Sequence, residues 1–323
     1  MKYRILGRTG FRISEIGFGT WPMGGDMWGK TDDRESINAL NLSIDLGLNF
    51  IDTALTYGNG HSEQVIGKVI KTRSEKIYIA TKIPPKNRTW PAKKGTKLRD
   101  VFPRDYIIDY TNRSLKNLDI DVIDLQQFHA WQDEWASDPE WQEAVAWLKD
   151  QGKVKSIGIS TNDHEPWNGI AAAMTGKIDA LQVIFNIFDQ SPTDELFPFC
   201  EKKIGIIARV PFDEGSLTGK ITPDTQFEKG DWRDRYFRGD RKVQVYERVE
   251  KLKKLLSTEA KTLPELALRY ILSFPAVSTV IPGMRRAAHV KENLSVSDGR
   301  VLSKTLLKEL KAHRWERNFY MDE

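Results

Sequence analysis

Four successive segments in the middle of the chain alternate between two hydrophobic patterns. They read RDYIIDYTNRSLKNL (104–118), VIDLQQF (122–128), EWQEAVAWLKD (140–150) and VKSIGIS (154–160). The first and third are amphipathic with helical spacing, and each follows a proline, which suits the first turn of a helix. The second and fourth are short and rich in apolar and β-branched residues, as buried parallel strands are. The sequence therefore predicts helix, strand, helix, strand.

Strands of the same kind are predicted on both sides of this region. They lie at Ile16–Gly19, Phe50–Asp52, Ile77–Lys82, Ala180–Ile184, Ile204–Arg209 and Thr279–Ile281, which brings the total to eight. An opening hairpin precedes them, with arms at Tyr3–Leu6 and Phe11–Ser14 and a turn at Thr9-Gly10.

Helical patterns separate these strands. They cover Asp32–Leu46 with Thr31 as the N-cap, Ser62–Ile70, Trp167–Met174, Asp194–Glu201, Arg241–Leu256, Leu263–Leu272, Ala287–Leu294 and Ser303–Trp315. Two segments, 83–102 and 211–240, show no pattern of their own. Both follow strands, and loops of this length in a compact domain are usually functional.

Eight strands, each followed by at least one helix, predict an α/β fold of the (β/α)8 TIM barrel type. The N-terminal β-hairpin and the extra C-terminal helices are additions to it, and one domain is expected over residues 1–323. A doubly wound open sheet usually carries G-x-G-x-x-G at its first strand-to-helix turn. The stretch Gly17-Phe18-Gly19 lacks the third glycine, which favours the barrel.

Composition narrows the class of protein. The 323 residues carry 49 basic and 45 acidic side chains, a net charge of +4 that predicts no nucleic-acid partner. A single cysteine, Cys200, excludes an internal disulfide and a cysteine-rich metal site, and no metal is expected. No apolar run approaches the roughly 18 residues of a membrane span, and the N-terminus lacks a signal-peptide pattern. We therefore expect a cytoplasmic protein without a membrane partner, and a monomer because no strand edge is spare.

Polar residues stand at the ends of the predicted strands. Asp52, Lys82 and His129 end three successive strands, and Tyr57 follows Asp52 by five residues. In a barrel these ends meet at one rim, where the active sites of such enzymes lie. A tyrosine has a pKa near 10, and an adjacent ammonium lowers it.

These four residues suggest a mechanism. Lys82 would lower the pKa of Tyr57, and Asp52 would keep Lys82 charged and fixed. His129 would orient a substrate oxygen, to which Tyr57 would donate a proton. The electron pair must come from elsewhere, so a redox cofactor is expected.

The segment Asn49-Phe50-Ile51-Asp52-Thr53-Ala54-Leu55-Thr56-Tyr57-Gly58 resembles the Asp-Thr-Ala…Tyr-Gly signature of the aldo-keto reductases. The resemblance continues through 80–82, 126–129, 158–160, 281–283 and 292–293, and it covers the chain from Leu6 to about Asp298. It implies that Asp52, Tyr57, Lys82 and His129 form the family's catalytic tetrad. The implied reaction is reduction of a small-molecule carbonyl, an aldehyde or ketone, with NADPH/NADP as the cofactor.

The resemblance also implies a set of cofactor contacts. These are Gly19, Thr20, Trp21, Ser160, Thr161, Gln182, Arg209, Pro211, Leu217, Gly219, Lys220, Gly283, Met284, Arg285, His289, Glu292 and Asn293. Ser160 and Gln182 would form hydrogen bonds with the nicotinamide carboxamide. Arg285, together with the neighbouring Arg286, would bind the ribose 2′-phosphate.

Three positions depart from the family pattern. Thr161 stands where the family usually has asparagine, and His289 where arginine is frequent. Arg209 takes the place of an aromatic ring that stacks on the nicotinamide. A cation there disfavours the oxidised, positively charged ring unless a carboxylate balances it, and Asp213 or Glu214 is expected to do so.

Tryptophans beyond the strand ends give two alternatives. Trp21, Trp28, Trp90 and Trp131 either pack the top of the barrel or form an aromatic wall for a carbonyl substrate.

Two other functions remain as alternatives. One is a nucleotide-binding regulatory member of the same family with little turnover. The other is a barrel glycosidase, which needs two facing carboxylates, whereas only Asp52 stands at a strand end without an obvious acidic partner.

Overall fold

An antiparallel hairpin formed by β1 (Tyr3–Ile5) and β2 (Arg12–Ser14) opens the computed structural model, which describes residues 1–25, 27–29, 31–200 and 203–320. Leu6 and Ile13 of this region are fully buried and pack against Phe50, Leu125 and Ile207 of the sheet that follows. The hairpin therefore contributes its apolar side chains to the interior of the main sheet.

Eight parallel strands of the described residues form one sheet in sequence order. They are β3 (Phe18–Gly19), β4 (Phe50–Asp52), β5 (Tyr78–Ile83), β6 (Ile123–Phe128), β7 (Val154–Ser160), β8 (Ala180–Ile184), β9 (Gly205–Arg209) and β10 (Val277–Val280). Gly17 N donates to Val280 O at 2.8 Å and Gly19 N to Pro282 O at 3.0 Å, which joins the last strand to the first. The (β/α)8 barrel with its N-terminal hairpin is confirmed.

Helices follow the strands and cover the outer face of the sheet. They are α1 (Asp33–Asp45), α2 (His61–Ile70), α3 (Leu98–Val101), α4 (Arg104–Leu118), α5 (Pro139–Asp150), α6 (Ile170–Met174), α7 (Leu196–Cys200), α8 (Arg233–Tyr236), α9 (Arg241–Lys253), α10 (Leu263–Leu272), α11 (Ala287–Ser295) and α12 (Lys304–Lys311). No helix within these described segments is long and apolar enough to cross a membrane.

Some predicted boundaries are wrong for local reasons. Asp32, not Thr31, caps α1, because its carboxylate accepts a hydrogen bond from Arg34 N at 2.8 Å. α2 begins one residue early, after Gly60 in a left-handed conformation with φ 93°. α12 ends at Lys311, four residues before the predicted end at Trp315. Glu201, at the end of another predicted helix, lies outside the described residues.

The two long segments are not structureless. The 83–102 segment contains α3, and the 211–240 segment contains α8 and a 3-10 helix over Asp213–Thr218. Both follow the carboxyl end of a strand, β5 and β9, so they stand over the same mouth of the barrel.

Candidate active site

Four polar side chains converge at the carboxyl end of the barrel. Asp52 is the last residue of β4, Lys82 lies near the end of β5, and His129 follows β6 directly. Tyr57 comes from the loop after β4, where its N–H bonds Ala54 O at 3.0 Å in a tight turn. Parallel strands present their carboxyl ends at one rim, so residues far apart in sequence meet there.

Lys82 is the centre of this group. Its Nζ lies 2.5 Å from Asp52 Oδ1, 2.9 Å from Thr53 O and 3.4 Å from Tyr57 Oη. The Lys82 side chain is 1% exposed, so the ammonium is held by protein oxygens in place of water. The arrangement places a fixed positive charge beside the Tyr57 hydroxyl.

His129 completes the group beside Tyr57. The two rings meet edge to face, with centroids 5.9 Å apart. Thr56 Oγ1 lies 3.4 Å from His129 Nδ1, and Trp90 Nε1 donates to the His129 carbonyl at 3.0 Å. Thr56 therefore contacts the imidazole, and Trp90 anchors the backbone of His129.

Burial sets the protonation of these groups. Burial raises the pKa of Tyr57 above its usual value, and the lowering effect of Lys82 only partly opposes it. Burial alone would lower the pKa of Lys82, but Asp52 and Tyr57 outweigh it and raise that pKa. Burial, Lys82 and Arg209 together hold the pKa of His129 well below its usual range. The result is a protonated tyrosine, a charged lysine and a neutral histidine.

A cavity of about 1070 Å³ opens beside Tyr57, Asp52 and His129. Most of the residues implied as cofactor contacts line it: Gly19, Thr20, Trp21, Ser160, Thr161, Gln182, Arg209, Pro211, Gly219, Lys220, Gly283, Arg285, His289, Glu292 and Asn293. The cavity thus brings together strand ends from the whole circumference of the barrel.

Two of the implied cofactor residues do not line the cavity. The side chains of Leu217 and Met284 are fully buried in the main hydrophobic core. Their apolar side chains belong to the core, and the cofactor contacts that the resemblance implies for these two residues stay predictions.

The four tryptophans beyond the strand ends are also divided between the cavity wall and the core. Trp21, Trp28 and Trp90 line the cavity. Trp131 does not: its side chain is fully buried against Phe128, at a ring distance of 5.2 Å, and its Nε1 donates to Asp133 at 3.2 Å. Placing Trp131 on the substrate wall is therefore wrong, because its ring packs into the layer of helices.

Arg209 lies in the cavity wall, paired with a carboxylate that the sequence did not indicate. Its Nη2 is 2.7 Å from Asp163 Oδ1 and 3.2 Å from Thr161 O. The expected partners are occupied elsewhere: Asp213 pairs with Arg317, and Glu214 Oε1 accepts from Tyr320 Oη at 2.6 Å. Asp213 and Glu214 have φ values of 49° and 56°, and this left-handed turn directs them to the C-terminal segment.

Sequence reasoning missed several residues at the cavity. Asp163 could have been predicted from its position just after Ser160 at the end of β7, because the ends of parallel barrel strands meet at one rim. Tyr320 and Trp232 carry no local signal, yet both line the cavity and stack on each other at 5.7 Å.

The cavity has features that fit a phosphorylated dinucleotide. Lys220, Lys253 and Arg285 line it together with Asp52, Tyr57 and His129, and the two lysines and the arginine supply cations for phosphate groups. Gly215 also lines it with φ 107°, and a Cβ at this position would project into open space. The backbone there can be approached closely by a ligand. In the described segments no cluster of His, Cys, Asp and Glu is suited to a metal ion.

Comparison with known proteins gives consistent results. The model of the aldo/keto reductase family matches residues 15–314. Aldo-keto reductase YhdN from Bacillus subtilis is 33% identical over 297 residues, covering 90% of this chain and 87% of the relative. The NADH-specific methylglyoxal reductase of Escherichia coli is 29% identical over 317 residues, covering 91% and 93%. The structure of glycerol dehydrogenase AKR11B4 from Gluconobacter oxydans superposes with a TM-score of 0.78 at 28% identity, covering 96% and 94%.

Proposed function

This chain belongs to the aldo/keto reductase family, and we propose that it reduces an aldehyde or ketone to an alcohol with NADPH, Tyr57 acting as the general acid. The observation that carries the proposal is the position of the Lys82 ammonium, 3.4 Å from Tyr57 Oη and 2.5 Å from Asp52 Oδ1, at the edge of a deep cavity.

The chemistry divides between cofactor and protein. Reduced nicotinamide, when bound, would supply a hydride to the carbonyl carbon. Tyr57 Oη gives its proton to the carbonyl oxygen as negative charge develops there, and Lys82 stabilises the phenolate that remains. Because the pKa of Tyr57 is raised, the proton is present throughout the neutral range. The C=O bond becomes an alcohol C–O bond, and bulk solvent later restores the tyrosine proton.

His129 and Asp52 serve the same proton transfer. His129 is neutral, so it can donate a hydrogen bond to the substrate oxygen without adding a positive charge. Asp52 keeps the buried Lys82 charged.

The phosphate-binding side chains support NADPH. The resemblance implies that Arg285 holds the ribose 2′-phosphate, and Arg285 is fixed by a hydrogen bond from its Nη1 to Trp28 O at 3.0 Å. The relative from Escherichia coli is named NADH-specific, so the preference must be measured for this chain.

The substrate is proposed to be a small carbonyl compound with apolar or aromatic surface. Trp21 stacks over Tyr57 at 6.2 Å, and Trp28 and Trp90 extend the same wall. Large aromatic side chains bind apolar ligand surface strongly. That the protein is a monomer and cytoplasmic stays a prediction from the sequence.

A direct assay tests the proposal. Purified protein is mixed with NADPH and a panel of simple aliphatic and aromatic aldehydes, and loss of the reduced cofactor is followed by absorbance, with NADH in parallel. Tryptophan fluorescence reports binding of each nucleotide. Turnover with NADPH supports the proposal. NADPH binding without turnover of any aldehyde would instead support a regulatory nucleotide-binding protein, and absence of binding would contradict both.

A further inference from the structure

The Asp52 carboxylate accepts hydrogen bonds on both of its oxygens. Oδ1 receives Lys82 Nζ at 2.5 Å, whereas Oδ2 receives Gln182 Nε2 at 2.8 Å and Gln127 Nε2 at 3.2 Å. All four side chains are nearly inaccessible to solvent. Two side-chain amides therefore fix the side of Asp52 that faces away from the lysine.

The two amides occupy different places relative to the cavity. Gln182 lines it and pairs in register with Ser160 on the neighbouring strand. Gln127 is fully buried, does not line the cavity, and its Oε1 lies 3.4 Å from Gln182 Nε2. A ligand entering the cavity can therefore contact Gln182 but not Gln127.

We propose that Gln127 is a positioning residue for the proton donor: it keeps the Asp52 carboxylate directed at Lys82 when the amide of Gln182 turns to the nicotinamide. This inference rests on the proposed function, because it takes the nicotinamide to lie beside Ser160 and Gln182. Gln182 lines the cavity, so a bound carboxamide competes with Asp52 for its amide. Gln127 is then the donor that remains on Oδ2.

The physical reason is the cost of an unsatisfied buried carboxylate. Asp52 is 2% exposed, so water cannot replace a lost donor on Oδ2. With Gln182 turned to the nicotinamide and Gln127 absent, the carboxylate would keep only Lys82 and would rotate toward other donors, which loosens the lysine. Its negative charge, less dispersed by hydrogen bonds, would also act more strongly on Tyr57.

Both effects raise the pKa of Tyr57. The Lys82 ammonium lowers that pKa, and the Asp52 charge raises it. The other charged or titratable groups that face Tyr57 are Arg209 and the neutral His129, while Glu63 interacts with Lys82. Replacing Gln127 changes none of these groups.

The test uses Gln127→Met in the full-length chain, because methionine keeps the unbranched shape and removes the amide. Alcohol oxidation with NADP⁺ requires the deprotonated tyrosine, so its kcat/KM rises with pH through the Tyr57 titration. The midpoint of this pH profile should move up by about 0.5–1 unit, as expected for one lost hydrogen bond. The Kd for NADP⁺, from tryptophan fluorescence, should change less than about twofold.

Gln126→Met is the matched control. Gln126 is the neighbour on β6, is equally buried, and has an amide without a hydrogen-bond partner among the described residues. Its side chain points to the opposite face of the sheet. We expect this variant to keep the wild-type pH profile.

Several outcomes would overturn the inference. An unchanged midpoint in Gln127→Met would do so, as would an equal shift in Gln126→Met. An effect of Gln127→Met that persists undiminished in an Asp52→Asn background would show that it does not act through Asp52. If Gln127→Met does not fold, Gln127→Leu, which also removes the amide, replaces it: the midpoint should rise in the same way, and no shift would contradict the inference. If the wild-type protein oxidises no alcohol and reduces no aldehyde, the proposed function itself fails before the variants are compared.

Discussion

Arg209 and Asp163 form an ion pair in the wall of the cavity, with Nη2 of the arginine 2.7 Å from Oδ1 of the aspartate. The two residues come from the ends of β9 and β7, and both side chains are about one fifth exposed. Arg209 also acts on its surroundings, because its charge helps to lower the pKa of His129. The pair therefore controls the local charge in the part of the cavity where the nicotinamide is proposed to lie.

Asp163→Asn should weaken the binding of NADP⁺ more than the binding of NADPH. The variant leaves the Arg209 charge uncompensated, and that charge repels the positive oxidised ring but not the neutral reduced ring. We expect the ratio of the two dissociation constants to change by about tenfold. Fluorescence titration of both nucleotides measures it, with the exposed Asp150→Asn as the control. Equal weakening of both forms would remove the ion pair from the nicotinamide site.

Tyr57→Phe should abolish most turnover without preventing cofactor binding. Loss of the proton donor should lower kcat for aldehyde reduction by about 10²–10⁴-fold, while the NADPH dissociation constant stays nearly unchanged. Tyr106→Phe is a suitable control, because Tyr106 lies on α4 and stacks on Tyr110 at 4.0 Å. A Tyr57→Phe enzyme with normal activity would assign the acid to another group.

Arg285→Ala should reduce the preference for NADPH over NADH. Arg285 lines the cavity, and loss of a charge-assisted hydrogen bond to phosphate should weaken NADPH by about 10–100-fold and NADH much less. Arg113→Ala is the control, since its side chain is 56% exposed on α4 and lies 2.8 Å from Asp109. If both nucleotides weaken equally in Arg285→Ala, this arginine does not contact the 2′-phosphate.

Aldehyde reduction should be insensitive to pH in the range where free histidine titrates. The pKa of His129 lies well below 6.5, because burial and the cations Lys82 and Arg209 oppose its protonation. We expect kcat/KM for reduction to stay flat from about pH 6 to pH 8. A sigmoidal step centred near pH 6.5 would show that His129 titrates normally.

Glu214→Gln should stabilise the protein at high pH. Burial, together with the charges of Asp213 and Asp163, raises the pKa of Glu214 to about 8 in the folded state. A carboxyl group whose pKa is raised in the folded state stabilises the fold most below pH 4.5, its pKa in the unfolded chain. This stabilisation is lost as the pH rises from 4.5 to about 8. Glutamine is insensitive to pH and can still accept from Tyr320. At pH 8.5 the variant should melt at least about 2 °C above wild type, and the difference should shrink toward pH 4.5.

The elements of the barrel were predictable because they depend on local patterns. β7 and β8 match the predicted bounds, and α4 and α10 do so as well. Periodicity of apolar residues, a proline before a helix and a glycine after one act over a few residues. The convergence of Asp52, Lys82 and His129 followed from one further rule, that parallel strands end at the same rim.

The partners of individual charges were not predictable. Asp213 and Glu214 lie close to Arg209 in sequence, yet Asp163, from two strands earlier, pairs with it. Glu214 instead binds Tyr320, which is 106 residues away. Such pairings depend on backbone dihedral angles in loops, which the local sequence does not fix.

The sequence by itself determined the order of the strands and helices, the barrel they form and the rim at which the reactive side chains meet, since each depends on short-range periodicity and on strand direction. Only the tertiary structure decided the charges at that rim. Burial raised the pKa of Tyr57 although Lys82 lowers it. Packing of the folded chain buried Trp131 in the core and brought Gln127 within hydrogen-bond distance of Asp52. Desolvation and side-chain direction depend on everything packed around a residue, and that surrounding is assembled from the whole length of the chain.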